Sequence, residues 1–286
     1  MYQDFVAGWI AGGSGLLLGH PLDTIKTRLQ TMNTYSGILD CFVKTFKNES
    51  LFGFYKGMFA PFMSVGFLNS ILFSGYGLTL KYLHPDEKNI EHRKGLPMSE
   101  ILLASIIGSA FQLIPAIPVE LVKTKLQVQL ESKSDAKAKY HGPWDCAKTL
   151  YRNGGIRALY HGGSIMTVRD LYGNLFYIPV YELLYREFHK RDVNDSLSQI
   201  IAGGTAGSAS WLSICPVEVV KNKIQTSASD VPMKDELYST VKTIWREEGV
   251  RGFYRGGLVL VMRGFPVNAF IFVVYSKVMT ELEKLH

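Results

Sequence analysis

Cysteine is scarce in this chain, and the residue patterns that mark an enzyme are missing. Cys41, Cys146 and Cys215 are its three cysteines. Their spacing gives neither a disulfide framework nor a metal site. There is no nucleophile–base constellation, no metal cluster and no glycine-rich nucleotide loop after a strand. The sequence therefore calls for no catalysis, no cofactor and no metal. A block of basic residues is also lacking. The net charge is +6 over 286 residues and is spread along the chain, which argues against nucleic acid and suits anionic lipid headgroups. The first apolar run starts within a few residues of Met1, leaving no room for a cleavable presequence. Asp23, Lys26 and Arg28 stand where a secretory signal would need small residues.

Charge itself is absent from long stretches. Residues 57–80 carry none over 24 positions. Residues 101–119 and 196–217 are nearly uncharged, the latter closed by Glu218. As helices, such runs span the roughly 30 Å of a bilayer core. Residues 5–22 just reach the lower limit of length, whereas 162–181 contain Arg169 and Asp170, and 256–276 contain Arg263. Charges within a span are expensive and face protein or water. Six such runs at similar spacing predict an all-α membrane protein with six transmembrane helices.

What is present is a repeat of about 97 residues, the signature of an internally duplicated architecture. PLDTIKTRLQ at 21–30, PVELVKTKLQ at 118–127 and PVEVVKNKIQ at 216–225 align without gaps, each closing an apolar run. A second block follows each one: ESLFGFYKG at 49–57, GGIRALYHG at 154–162 and EEGVRGFYRG at 247–256. Short amphipathic stretches lie between the blocks, with Cys41 and Cys146 at equivalent places. Each repeat reads as a long helix, a short surface helix and a second long helix. The repeats run over 1–97, 98–191 and 192–286. An even number of spans puts both termini on one side.

Proline removes a helical hydrogen bond, so Pro21, Pro118 and Pro216 are expected to kink the odd helices toward a common axis. Small residues precede each by 13 and 9 positions: Gly8 and Gly12, Ser105 and Ser109, Gly203 and Gly207. Their expected role is close helix packing. The acid and base after each proline have two readings, a local pair one turn apart such as Asp23 with Lys26, or contacts with neighbouring repeats.

The two blocks, in three copies, resemble the signature of the mitochondrial carrier family over residues 4 to 282. Ser50, Gly154 and His161 depart from the pattern, replacing a glycine, an acid and a base. GHPLDTIKTRLQT, Arg169–Asp170, RGFPVNAF and Trp211 resemble the carnitine/acylcarnitine and basic amino-acid branch. FVAGWIAGGSGLLLGHPLDT with ESLFGFYKGM resembles solute carrier family 25 members 45, 47 and 48. The LVLVMRGF stretch does not match a nucleotide carrier.

The resemblance implies pseudo-threefold symmetry in the inner mitochondrial membrane, a monomer, and termini toward the intermembrane space. It implies a matrix ring of Asp23–Lys123, Glu120–Lys221 and Glu218–Lys26, braced by Gln30, Gln127 and Gln225. It implies cardiolipin at Gly57, Gly162 and Gly256. The opposite gate keeps only Glu182 of its charged positions, leaving Tyr76, Tyr181 and Tyr275 as its expected core. Thirteen residues before Gly77, Glu182 and Ser276 lie Ser64, Arg169 and Arg263. A solute is asymmetric, so contacts that break threefold symmetry mark its site. Two arginines, a serine and Asp170 suit a zwitterion: an arginine fork for a carboxylate, Asp170 for an ammonium. The alternative is that Arg169 and Asp170 merely neutralise each other. Trp211, Tyr177 and Phe73 are candidate aromatic faces. Asn69, Asn174 and Asn268 keep the symmetry, with Asn69 the site candidate among them. The expected cargo is a small zwitterionic or cationic metabolite, carnitine-like or a methylated basic amino acid, moved by alternating access.

Overall fold

The structure is a computed structural model describing residues 2–84, 96–130, 139–191, 194–227 and 232–284. Every regular element among the described residues is helical. Six helices are long: α1 (Tyr2–Thr31), α3 (Phe59–Leu83), α4 (Met98–Val128), α6 (Gly163–Lys190), α7 (Asp195–Thr226) and α10 (Gly257–Lys284). Three are shorter: α2 (Ile38–Glu49), α5 (Pro143–Leu159) and α8 (Met233–Glu248). A 3₁₀ turn (Leu51–Tyr55) and a one-turn helix, α9 (Val250–Phe253), lead into α3 and α10.

The long helices close a ring in the order α1, α3, α4, α6, α7, α10 and back to α1. Packing between repeats, at α3–α4, α6–α7 and α10–α1, is more extensive than packing within them. The tightest crossing has a backbone cause. A Cβ on Gly108 would stand 2.6 Å from the Leu72 carbonyl oxygen, and one on Gly75 2.9 Å from the Gly108 Cα. The small residues at 13 and 9 positions before the prolines do not make this closest approach. Ser109 instead accepts a hydrogen bond from Asn174 at 2.7 Å, and Gly203 has only ordinary contacts.

The ring's outer surface is apolar. On α3 alone Phe59, Met63, Phe67, Leu78 and Tyr82 are exposed, a patch that water would not tolerate and hydrocarbon covers. The stretches Leu51–Leu83, Met98–Val128 and Leu197–Thr226 are long and apolar enough to cross a membrane.

Burial concentrates at one end of the bundle. There the residues after each proline join a surface helix: Ile25 and Leu29 meet Cys41, Val122 and Leu126 meet Cys146, and Val219, Val220 and Ile224 meet Ile244. Pro21, Pro118 and Pro216 lie within continuous helices. The surface helices α2, α5 and α8 expose Phe42, Phe46, Trp144 and Trp245 on their other faces, as helices lying in a membrane interface do. Burial pushes the Cys41 and Cys146 thiols up to about 11, so both stay protonated at neutral pH and are poor nucleophiles.

Candidate functional site

Immediately after the prolines the three odd helices bring their charges together. Lys123 Nζ lies 3.0 Å from Asp23 Oδ2, Lys221 Nζ lies 3.0 Å from Glu120 Oε1, and Lys26 pairs with Glu218. The acid of each repeat therefore meets the base of the next, and the third pair closes the circle. Of the two readings open in the sequence, the inter-repeat one dominates; a longer local contact survives between Lys221 and Glu218 at 3.6 Å.

A second circle joins the three expected glutamines to Thr27, Thr124 and Asn222, which the sequence did not single out. Thr27 donates to the Gln127 side-chain oxygen at 3.1 Å, Thr124 to that of Gln225 at 3.4 Å, and the Asn222 amide to that of Gln30 at 2.5 Å. The glutamines thus brace the residue standing between the two bases of the preceding repeat. That position is polar in all three copies, which was the available signal. His20 is buried, with Nε2 3.0 Å from the Lys56 carbonyl oxygen.

A third circle docks the start of each even helix onto the end of the next odd one. Gly57, Gly162 and Gly256 have φ of +78°, +73° and +73°, a region that favours glycine. A Cβ on Gly57 would stand 2.8 Å from the Lys123 carbonyl oxygen, and one on Gly162 2.8 Å from Gln225 Cγ. The neighbouring bases follow suit: His161 Nε2 is 3.1 Å from the Ile224 carbonyl oxygen, and Arg255 donates to that of Tyr35 at 2.9 Å. In the first repeat Glu49 ties Arg28 and Lys56 together at 2.7 and 2.5 Å; Glu248 does the same for Arg255 and Lys223 at 2.9 and 3.7 Å. The second repeat has Gly154 in place of that acid, and its His161 turns to Glu236 at 3.5 Å.

The two span arginines sit on the ion ring. Arg169 reaches Glu218 at 2.8 Å and Asp170 at 2.5 Å, and Arg263 reaches Asp23 at 2.9 Å. The contacts to Glu218 and Asp23 again run from one repeat to the next. The equivalent third contact, Ser64 to Glu120, is missing because the Ser64 hydroxyl turns back to the carbonyl of Ala60 at 2.9 Å. Glu120 is accordingly the most open ring acid: its side chain is 25% exposed, against 2% for Glu218 and 4% for Asp23.

Above the ring lies a cavity of about 410 Å³ lined by Gln112, Arg169, Asp170, Asn174, Tyr177 and Trp211, among others. Four expected substrate residues thus come together in it. Ser64, Asn69, Phe73 and Arg263 are not part of that lining. Trp211 is already engaged, with Lys26 Nζ 5.8 Å from its ring centroid. At the far end of α6, Glu182 accepts from Arg186 of its own helix at 3.1 Å, and Tyr181 stacks between Tyr177 and Tyr185. Tyr76 and Tyr275 occupy the equivalent positions on α3 and α10; the side chains of Asn268 and Ser276 lie outside the described residues.

Glu218 and Asp23 each hold a second cation, at 2.8 and 2.9 Å, whereas Arg169 stands 3.9 Å from Glu120, so Glu120–Lys221 is the cleanest pair to invert. Glu120→Lys alone leaves buried like charges facing each other, a loss of about 3–5 kcal/mol, and transport in proteoliposomes falls to background. Adding Lys221→Glu restores part of it; a double variant no better than the worse single one would contradict the pairing.

The family model described as "Mitochondrial carrier protein" matches residues 1–87, 94–192 and 193–285. The chain is 38% identical over 280 residues to solute carrier family 25 member 45 of Homo sapiens, covering 96% of each chain. It is 35% identical over 296 residues to solute carrier family 25 member 48 of Homo sapiens, covering 96% of this chain and 93% of that one. It is 35% identical over 287 residues to the mitochondrial basic amino acids transporter of Bos taurus, covering 98% and 92%.

Proposed function

This chain belongs to the mitochondrial carrier family, and from that premise we propose that it moves a small zwitterionic metabolite by alternating access. It is a multi-pass solute carrier of the mitochondrial inner membrane. The cargo is carnitine-like or a methylated basic amino acid. The observation that carries this reading is the Arg169–Asp170 pair lining the cavity directly above the ion ring.

Charge balance supports the choice of a zwitterion. Lys26, Lys123, Lys221, Arg169 and Arg263 are met by four carboxylates, Asp23, Glu120, Glu218 and Asp170. One positive charge is left over, so a ligand carrying a carboxylate is favoured over a simple cation such as choline. The carboxylate competes with Glu218 for the Arg169 fork. The cationic end takes Asp170 and the side facing Glu120, where Ser64 leaves the third arginine contact unmade. By drawing Arg169 from Glu218, the bound substrate loosens the ring that must part for the matrix side to open. Tyr76, Tyr181, Glu182 and Tyr275 close the opposite side. The protein works as a monomer with both termini toward the intermembrane space.

Ordinary basic amino-acid transport is the rival, since one relative is named for it. Uptake of labelled carnitine, trimethyllysine, lysine, arginine and choline into proteoliposomes separates the two. Trimethylated zwitterions are expected to be carried best and choline poorly. Asp170→Asn and Arg169→Lys each remove a charge-assisted contact of about 1.5–3 kcal/mol, lowering uptake about ten- to a hundredfold. Normal uptake by both variants would place the site elsewhere.

The even-helix starts at Gly57, Gly162 and Gly256 are proposed to hold cardiolipin, whose phosphates suit backbone N–H groups at helix N-termini. With His161 in place of a lysine or arginine, and Glu236 beside it, the second site is the weakest. Native mass spectrometry of single-site variants checks this; equal lipid retention after losing any one site would contradict the ranking.

A further inference from the structure

The face of α6 that carries Asp170 into the cavity continues as a column of rings. Tyr177 and Tyr181 stack with centroids 5.9 Å apart, Tyr181 and Tyr185 at 5.8 Å, and Tyr185 and His189 at 6.3 Å. All three interplanar angles are small, between 4° and 13°. Spacing by four residues keeps these rings on one side of the helix. Val168, Tyr172, Leu175, Phe176 and Leu183 are exposed on the opposite, lipid-facing side. The innermost ring, Tyr177, is part of the cavity lining. The outermost, His189, lies at the helix end, 3.4 Å from Asp195.

The column breaks the threefold symmetry. The positions equivalent to Tyr177, Tyr181 and Tyr185 are Leu72, Tyr76 and Leu80 on α3, and Ile271, Tyr275 and Met279 on α10. The middle ring is common to all three repeats, as a gate residue would be. The flanking tyrosines occur in the second repeat alone, on the helix that also holds Arg169 and Asp170. Features that close the bundle recur three times here, whereas features that touch an asymmetric solute need not.

The spacing also fits one ligand class. A cation is attracted to an aromatic face within about 6 Å of its centroid, and the rings recur at about that interval. A cation moving along the column passes from one ring's reach directly into the next. An acid stands at each end, Asp195 outside and Asp170 within.

We propose that the Tyr177–Tyr181–Tyr185 column is a recognition track for the cationic head of the substrate, with Tyr185 an outer station occupied before Asp170 is reached. This rests on the reading that the cargo carries an ammonium or methylated ammonium group. Tyr185 stands where the family resemblance would place the base of the opposite gate. A ring there replaces a positive charge that would repel such a head.

The test uses the full chain in nanodiscs with 3-fluorotyrosine incorporated, the ring resonances being assigned with single Tyr→Phe variants. Tetramethylammonium is the probe, and neopentyl alcohol is the neutral molecule of similar shape. Saturable shifts of the Tyr185 and Tyr181 fluorines with tetramethylammonium, retained in Asp170→Asn and absent with neopentyl alcohol, are expected. In proteoliposomes, Tyr185→Phe should keep the KM for trimethyllysine, and Tyr185→Leu should raise it about three- to tenfold. No shift at Tyr185, or an equal shift from the alcohol, overturns the track. Shifts without uptake of any zwitterion leave the track standing and sink the substrate reading. Normal uptake with an unchanged KM in Tyr185→Leu and no fluorine shift does the reverse.

Discussion

Six charges buried where three helices meet set the terms for everything else in this bundle. Removing an ion from water costs several kcal/mol even after relaxation, so Asp23, Glu120, Glu218 and their lysine partners are tolerable only while paired. Pairing within one helix does not achieve this: the local Lys221–Glu218 contact is 3.6 Å, against 3.0 Å for the inter-repeat pairs of Asp23 and Glu120. Pairing from repeat to repeat does, and it demands that the three odd helices converge. The glutamine circle and the glycine docking follow the same direction around the axis. Thr27 with Gln127, and Gly57 against Lys123, fix the same neighbours that Asp23 and Lys123 join. The three layers share one register and together hold the same neighbours.

On the proposed reading, departures from threefold repetition mark the places where the plug meets its cargo. Arg169 and Arg263 add a second cation to Glu218 and Asp23, while Ser64 adds none to Glu120. The column of tyrosines likewise belongs to one helix of three. In the proposed cycle, symmetric residues carry the closing and opening, and asymmetric ones select what is carried.

Much of this architecture was legible in the sequence. Three aligned copies of proline, acid and two bases located the ring, and its pairing came from a family resemblance rather than from spacing. Arg169 and Asp170 stood out as charges inside apolar runs. Other parts were not legible. Thr27, Thr124 and Asn222 look like ordinary polar residues until Gln127, Gln225 and Gln30 arrive from a neighbouring repeat, roughly a hundred or more residues away. Gly75 and Gly108 give no local sign that two backbones will touch there. The stacking of Tyr177, Tyr181 and Tyr185 depends on rotamers, which no spacing reveals. Ser64 and Arg263 were placed in the substrate site by symmetry counting, yet one turns to its own helix and the other to Asp23.

The central claim is that the inter-repeat plug must part on the matrix side for transport to occur. Thr27→Cys with Gln127→Cys places two thiols across the α1–α4 seam, and a short bis-methanethiosulfonate reagent bridges them reversibly. The buried, protonated Cys41 and Cys146 compete poorly for it. Bridged carrier in proteoliposomes should stop transporting and recover when the bridge is reduced. A bridged carrier that transports at the unbridged rate would contradict the account.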